Sequence, residues 1–377
     1  MTNYLPRYIQ NLDDSLKPGK AVVILGPRRT GKTTLVNHYL KETKYKYRLE
    51  TGDNLRIVAL FESGNFDRIK EFASGFDLIV IDEAQKIKNI GQGLKILTDY
   101  MENLRLLITG SSSFALLGQI GEPLTGRKLT RTLFPFSQSE LLSEYNKFDL
   151  REGLETFLIF GSYPEVATTE DKTEKITILN EIIGSYLLKD ILELDRVKSS
   201  RLLLDLLRLL AFQVGNQVSL SELANNLHID YKTVARYLDL FEKAFVLYSL
   251  GGYSGNLRSE VTRKSKYYFY DNGIRNALIS NFNPLPMRND AGMLWENFMF
   301  MERLKIRSYK QLNANIFFWR TYDQQEIDLI EERDGKLFGY EFKWGKKTIK
   351  PPRRWSEDYP GSGFEVITPE NYLNFII

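Results

Sequence analysis

AVVILGPRRTGKTTL, Ala21 to Leu35, sets an apolar, partly β-branched run against a glycine-bounded loop and then a stretch free of Gly and Pro. Gly26, four intervening positions, Gly31, Lys32 and Thr33 follow the phosphate-binding spacing G-x-x-x-x-G-K-[ST]. The context predicts a buried strand over Ala21 to Leu25 and a helix from Thr33 onward. The chemistry needs these residue types here. The two glycines let consecutive backbone N–H groups turn toward one anion, and the helix N-terminus adds a favourable dipole. Lys32 is expected to reach the β- and γ-phosphates of ATP, and Thr33 to give its hydroxyl to Mg²⁺. The expected nucleotide-binding set is Gly26, Pro27, Arg28, Arg29, Thr30, Gly31, Lys32, Thr33 and Thr34.

Further along, Tyr45–Leu49 and Ile57–Phe61 read as weaker strands, and Asp77 to Gln85, DLIVIDEAQ, as a strong one. Leu78 to Ile81 predicts a buried strand ending in Asp82-Glu83. Asp82 is expected to hold Mg²⁺ through water and Glu83 to orient and polarise the attacking water. Leu104 to Ser113, LRLLITGSSS, predicts a third apolar strand lying beside the P-loop strand. Thr109 and Ser111 at its polar end are the candidates for sensing the γ-phosphate, although Ser and Thr at a strand end are also ordinary turn chemistry. Strand–helix alternation with these signals predicts a parallel sheet covered by helices on both faces, an α/β fold.

These motifs resemble the AAA+ ATPases. Together with LTGR at Leu124–Arg127, FPFS at Phe134–Ser137 and GSYPEV at Gly161–Val166, they resemble more narrowly the prokaryotic AAA-type ATPases with a nuclease-like C-terminal domain. The resemblance spans nearly the whole chain and implies ATP hydrolysis assisted by arginines. Arg127 matches the arginine of the family's GR motif, with a role on the γ-phosphate in cis or on a neighbouring subunit of a homo-oligomer. A ring, a dimer and a monomer all remain open.

Four units are expected. Residues 1–140 form the P-loop core and 141–215 a helical lid. In the lid, Leu154, Phe157, Leu158 and Phe160, then Leu202 to Leu210, have helical spacing. Residues 216–284 resemble a winged helix-turn-helix. Ser219 and Glu222 form a capping box, and Asp230 caps a helix from Tyr231 to about Phe245, with Val234, Leu238, Phe241 and Phe245 facing a core. Lys232, Thr233 and Arg236 then face outward toward a DNA major groove. A wing bearing Arg258, Arg263, Lys264 and Lys266 is expected to hold phosphates. Such modules also serve as protein contacts.

Residues 285–377 carry a second constellation. Ile316–Arg320 reads as a strand, Glu326–Ile330 as a half-buried alternating strand, Asp334-Gly335 as a hairpin turn, and Lys336–Lys343 as the return strand. Asp328, Glu341 and Lys343 converge, an arrangement similar to the PD-(D/E)xK restriction-endonuclease-like core. There Asp328 and Glu341 would bind Mg²⁺ beside a phosphodiester, and Lys343 would stabilise charge at the cleaved phosphate. Glu296, on a helix over Leu294 to Arg307, matches a further acidic residue of such cores. Asp328 follows Ile327 rather than proline. Beyond lie Lys346, Lys347, Lys350, Arg353 and Arg354, a run able to hold a nucleic-acid backbone.

Composition narrows the remaining choices. The 377 residues are 43% hydrophobic and 26% charged, the balance of an ordinary globular protein. A net charge of +3 does not by itself point to nucleic acid. With no cysteine and only His38 and His228, disulfides, thiolate metal sites and a zinc site built on several histidines are excluded. The N-terminus lacks a signal-peptide pattern, and Leu202 to Val214 is too short and charged to span a membrane. A cytoplasmic location is the expectation. Three functions follow: a DNA-binding ATPase with a nuclease-like domain, a nucleotide-gated switch that binds protein, or an ATP-regulated metal-dependent nuclease.

Overall fold

The computed structural model describes residues 4–111, 118, 120–187, 191, 200–254, 265–345 and 349–377. Around β1 (Ala21–Leu25) lie β2 (Tyr47–Thr51), β3 (Leu78–Asp82), β4 (Arg105–Gly110) and β5 (Lys128–Thr132), in the order β2-β3-β4-β1-β5. Every neighbouring pair is parallel. A parallel sheet is buried on both faces, so its inner strands are apolar runs rather than alternations. On one face, Leu35, Val36 and Leu40 of the helix Lys32–Glu42 pack on Val22, Ile24, Val80 and Leu107. On the other, Phe61, Ile69, Leu94 and Leu97 meet Val23, Ile79 and Leu106.

Two sequence readings are corrected here. Ile57 to Phe61 lies in a helix, Leu55–Glu62, whose first turn is capped by the Asn54 side chain. Ile57 and Phe61 are buried four positions apart, the helical repeat, so the β-branched residues misdirected the strand assignment. β5 was not expected at all. It is an edge strand, half-buried throughout, with no apolar run to announce it.

The middle of the chain does not divide at 215/216. Helices Leu154–Phe160, Pro164–Thr168, Lys172–Glu181 and Ser200–Ala211 precede Leu220–Leu227, Tyr231–Lys243, the hairpin β6 (Leu247–Leu250) and β7 (Lys266–Phe269), and the helix Asn272–Leu278. That last helix returns to the first. Asn272 and Asn276 side-chain amides donate to the Leu158 carbonyl at 3.2 and 3.1 Å, and Asn276 also reaches Ile159. Gly161 shows why GSYPEV begins with glycine. Its φ is +75°, and a Cβ there would stand 1.9 Å from Asp271 Oδ1.

The C-terminal unit is a mixed sheet ordered β11-β10-β9-β8, crossed by the helix Ala291–Lys310. Its strands are β8 (Asn315–Arg320), β9 (Glu326–Arg333), β10 (Lys336–Phe342) and β11 (Gly363–Ile367). Asp334 and Gly335 both take positive φ, as the hairpin signal required. β9 is not a simple half-buried alternation. A register shift against β8 falls between the pairs at Phe317 and Trp319, and such a bulge re-aims side chains. Ile327 and Ile330 therefore share one cluster with Trp319 and Trp355, while Leu329 joins the main core. The long helix is clamped to the sheet by Arg303, whose Nε and Nη2 donate to the two Glu331 oxygens at 2.7 and 2.8 Å. Among the described residues no helix is long and apolar enough to cross a membrane.

Candidate ATPase site and the C-terminal carboxylate pocket

Gly26 accepts no other residue. A Cβ would come within 2.1 Å of the Leu133 carbonyl, so the loop packs against the chain leaving β5. Gly31, at φ +89°, begins the following helix. Lys32 is 4% exposed, and its ammonium donates to the Gly26 and Pro27 carbonyls at 2.9 and 2.7 Å. The strand order brings the other groups to the same edge. Thr33 Oγ1 donates to Asp82 Oδ2 at 2.7 Å, so two hard oxygen donors of the kind Mg²⁺ takes sit side by side. Thr109, on the strand between β1 and β3, donates to Asp82 Oδ1 and accepts the Glu83 N–H at 3.1 Å. Glu83 itself is held at φ +53°, a left-handed conformation that costs a non-glycine residue about 1–3 kcal/mol and persists where surroundings enforce it.

Gln85 is a site residue that the motif did not reveal. Its amide donates to Glu83 Oε2 at 2.7 Å and to Ser111 Oγ at 3.0 Å, tying the acid of β3 to the polar end of β4. A glutamine two positions after an acidic pair carries no signal until the strands are neighbours. Ser112 and Ser113 lie outside the described residues.

A cleft of about 320 Å³ opens beside the loop, lined by Tyr4, Arg7, Thr30, Gly31, Thr34, Phe136, Pro164 and Thr168 among others. It lies between the N-terminal segment and GSYPEV. Arg7, 4% exposed, holds one wall: it donates to the Thr30 carbonyl at 2.6 Å, the Phe134 carbonyl at 2.6 Å and Glu140 Oε1 at 3.0 Å. Burial works against the guanidinium's charge, and Glu140 overrides it, so Arg7 stays cationic. FPFS thereby gains a structural role. Phe136 lines the cleft, and Ser137 caps the next helix in a capping box with Glu140. The other wall is tied to the loop by Arg29, which pairs with Glu165 at 3.0 Å and Glu181 at 3.5 Å.

Arg127 does not reach this site in its own chain. Ala21 pairs with Lys128 and Leu25 with Thr132, so Arg127 sits at the opposite end of β5 from the loop. Its guanidinium pairs with Asp99. The cis reading of Arg127 is therefore corrected by the direction of the strands.

On the helix Tyr231–Lys243, capped by Asp230, Val234, Leu238 and Phe241 are buried. Lys232 and Arg236 are exposed and Thr233 is half-buried. The helix stops before Phe245, which is buried at φ +56°. Arg258, Arg263 and Lys264 lie outside the described residues, as do Lys346 and Lys347. Lys266 is not a wing contact. It is on β7 with its side chain 1% exposed. Arg353 and Arg354 pair with Glu357 at 2.7 Å and Asp323 at 3.1 Å, acids supplied by the next helical turn and by the loop before β9.

The C-terminal constellation does converge, with Lys266 at its centre. Lys266 Nζ lies 3.2 Å from Glu296 Oε1 and 3.6 Å from Asp328 Oδ1, and it also contacts Glu326 Oε1. Burial opposes its charge, but Glu296, Asp328 and Glu326 together hold it firmly protonated. Tyr268 donates to Glu296 Oε1 at 2.8 Å, and the Phe342 N–H donates to Asp328 Oδ2 at 2.8 Å. Lys343 Nζ reaches Glu341 Oε1 at 2.6 Å. Burial and then the Asp328 charge push Glu296 up to about 8 and Glu341 up to about 7. Among the described residues no three His, Cys, Asp or Glu side chains are arranged to hold a metal ion. The expected nuclease metal set of Asp328 and Glu341 is thus present as neighbours but not as a coordination sphere.

Residues 18–142, which hold the sheet, the loop and the strand-end acids, match the family described as an AAA domain. Residues 151–285 match a domain of unknown function (DUF8612), spanning both lid and hairpin, and residues 291–363 match another (DUF4143). The chain is 29% identical over 359 residues to an uncharacterized protein of Haemophilus influenzae, covering 89% of this chain and 84% of that one. It is 26% identical over 341 residues to an uncharacterized protein of Methanocaldococcus jannaschii, covering 85% and 74%. Among solved structures it is similar to a Walker-type ATPase of Pyrococcus abyssi, 17% identical, covering 69% of this chain and 91% of that one at a TM-score of 0.46.

Proposed function

We propose that the chain binds and hydrolyses ATP and uses the cycle to control a DNA-binding C-terminal half. The observation that carries the ATPase reading is the single network Thr33–Asp82–Thr109–Glu83–Gln85–Ser111, which ties the ends of β3 and β4 to the start of the P-loop helix by hydrogen bonds. Lys32 would leave its loop carbonyls for the β- and γ-phosphates. Thr33 and Asp82 would hold Mg²⁺, which supplies charge neutralisation on the phosphates. Glu83 would take the proton of the attacking water, with Gln85 fixing the carboxylate's direction. The base would enter the cleft between Tyr4–Arg7 and Pro164–Thr168, where Arg29 ties the lid to the loop. Arg127 would act on the nucleotide of a neighbouring copy.

DNA contact rests on the exposed Lys232 and Arg236 beside Thr233, on a capped helix followed by a hairpin, as in a winged helix. A nuclease-like fold for residues 285–377 is supported by the juxtaposition of Glu296, Asp328, Glu341 and Lys343. Cleavage is not part of the proposal, because a lysine occupies the centre of that group. Steady-state ATP hydrolysis with and without single- and double-stranded DNA tests the reading. Turnover that DNA changes severalfold is expected. Turnover indifferent to DNA, with no DNA retained on a filter at low salt, would favour the switch that binds protein.

A further inference from the structure

The carboxylate pocket has a resident cation drawn from another part of the chain. Lys266 belongs to the hairpin of the middle unit, whereas Glu296, Glu326, Asp328 and Glu341 belong to the helix and sheet of the C-terminal unit. Three of these acids, Glu296, Glu326 and Asp328, close on the Lys266 ammonium, and a cation there relieves their mutual repulsion. Lys266 does so with its ammonium 3.2 Å from Glu296 and 3.6 Å from Asp328, over the Phe318 ring at 5.4 Å. One acceptor remains unused. Glu341 is 9% exposed, and its Oε2 is buried without a hydrogen-bond partner. Buried carboxylate oxygens are ordinarily satisfied, so this one marks a place where the pocket accepts more than Lys266 and Lys343 provide.

We propose that Lys266 stands where a divalent cation would otherwise bind, closing the pocket to metal and latching the middle hairpin to the C-terminal sheet. A divalent ion entering the pocket would meet a fixed ammonium that its neighbours keep charged. A metal therefore binds only when Lys266 is absent. With the ammonium gone, Glu296, Asp328 and Glu341 would be left as neighbouring, uncompensated hard oxygen donors free to draw together, which suits Mg²⁺ or Mn²⁺. This inference is independent of ATP hydrolysis, and its test removes the P-loop site's carboxylate, Asp82.

The full chain carrying Asp82→Asn is titrated without nucleotide against Mn²⁺, with free Mn²⁺ read by electron paramagnetic resonance. The expected curve is the same with and without Glu341→Gln. Adding Lys266→Met should create one Mn²⁺ site at least tenfold tighter than anything in the parent, and Glu341→Gln on top should abolish it. Mn²⁺ should also raise the melting temperature of the Lys266→Met protein and leave the parent's unchanged. A folded Lys266→Met protein that binds no Mn²⁺ overturns the proposal. So does a parent that already binds one Mn²⁺ lost on Glu341→Gln, a comparison that decides the matter even if Lys266→Met does not fold.

Discussion

In the proposed hydrolysis Lys32 and Glu83 would serve opposite ends of the chemistry, and each should fail in its own way. Lys32→Ala removes the buried cation of the loop, so both ATP binding and turnover should be lost. Glu83→Gln preserves size and hydrogen bonding with Gln85 but loses the charge that takes a proton. Binding should persist while turnover falls about 10²-fold or more, the scale of a lost general base. Equal losses of binding and turnover would make Glu83 a metal ligand or structural group. A nucleotide-binding assay run beside steady-state hydrolysis separates these outcomes. Asp290 is a different kind of residue, purely structural. Burial alone would raise its pKa, yet Arg288 and Arg275 hold it down to about 2. Arg288 donates to both of its oxygens at 2.8 Å. A depressed folded pKa stabilises above the ordinary value of 3.8 and loses that stabilisation as pH falls through 2. Asp290→Asn should therefore lower stability by roughly 2 kcal/mol at neutral pH. The deficit should shrink as urea midpoints are compared from pH 4 down to pH 2.

At the level of elements, strand order converts a linear motif into a site. β4 lies between β1 and β3, which places Thr109 against Asp82 and Glu83. The P-loop and the acidic pair were legible because each is contiguous in sequence and ends an apolar run. Gln85 and Arg7 were not, since their partners Ser111, Thr30 and Glu140 come from other elements. Lys266 was misassigned for the same reason. Nothing in KYYF distinguishes a solvated wing lysine from one inserted among three acids. On the helix Tyr231–Lys243 the alternation of buried and exposed positions did follow the sequence, because helical spacing alone fixes which face is polar. If that face meets DNA, Lys232→Ala with Arg236→Ala should flatten the slope of log K against log salt by roughly two, about one per phosphate contact. An unchanged slope would remove DNA from this helix.

In the whole molecule the C-terminal unit is not a pendant domain. Lys305 of its long helix donates to the Phe136 carbonyl at 2.9 Å and to Ser162 Oγ at 3.2 Å, and its partner Glu302 accepts the Gln138 N–H at 2.7 Å. Tyr309 stacks on Tyr8 with centroids 5.1 Å apart. Phe136 and Tyr8's neighbour Arg7 both face the cleft beside the P-loop, so a buried polar joint connects the nucleotide site to the C-terminal helix. Arg127 lies at the end of β5 away from the loop of its own chain, so the proposed role on a nucleotide requires a neighbouring copy. Mixing Arg127→Ala with Lys32→Ala protein should then restore hydrolysis that neither shows alone, because each copy supplies what the other lacks. A mixture no more active than the sum of its parts would end the trans assignment.

By itself, the sequence determined the phosphate loop, the strand-end acids, the capped helices and the hairpin of the C-terminal sheet. Each of these is encoded by local spacing and local backbone chemistry. Only the tertiary structure decided that Arg127 lies away from the loop of its own chain, that Gln85 holds Glu83, and that Lys266 fills the carboxylate pocket. Those outcomes depend on strand direction, on strand order and on the desolvated charges brought together across two units. A single stretch of sequence contains no term for the electrostatic field of residues that fold places beside it.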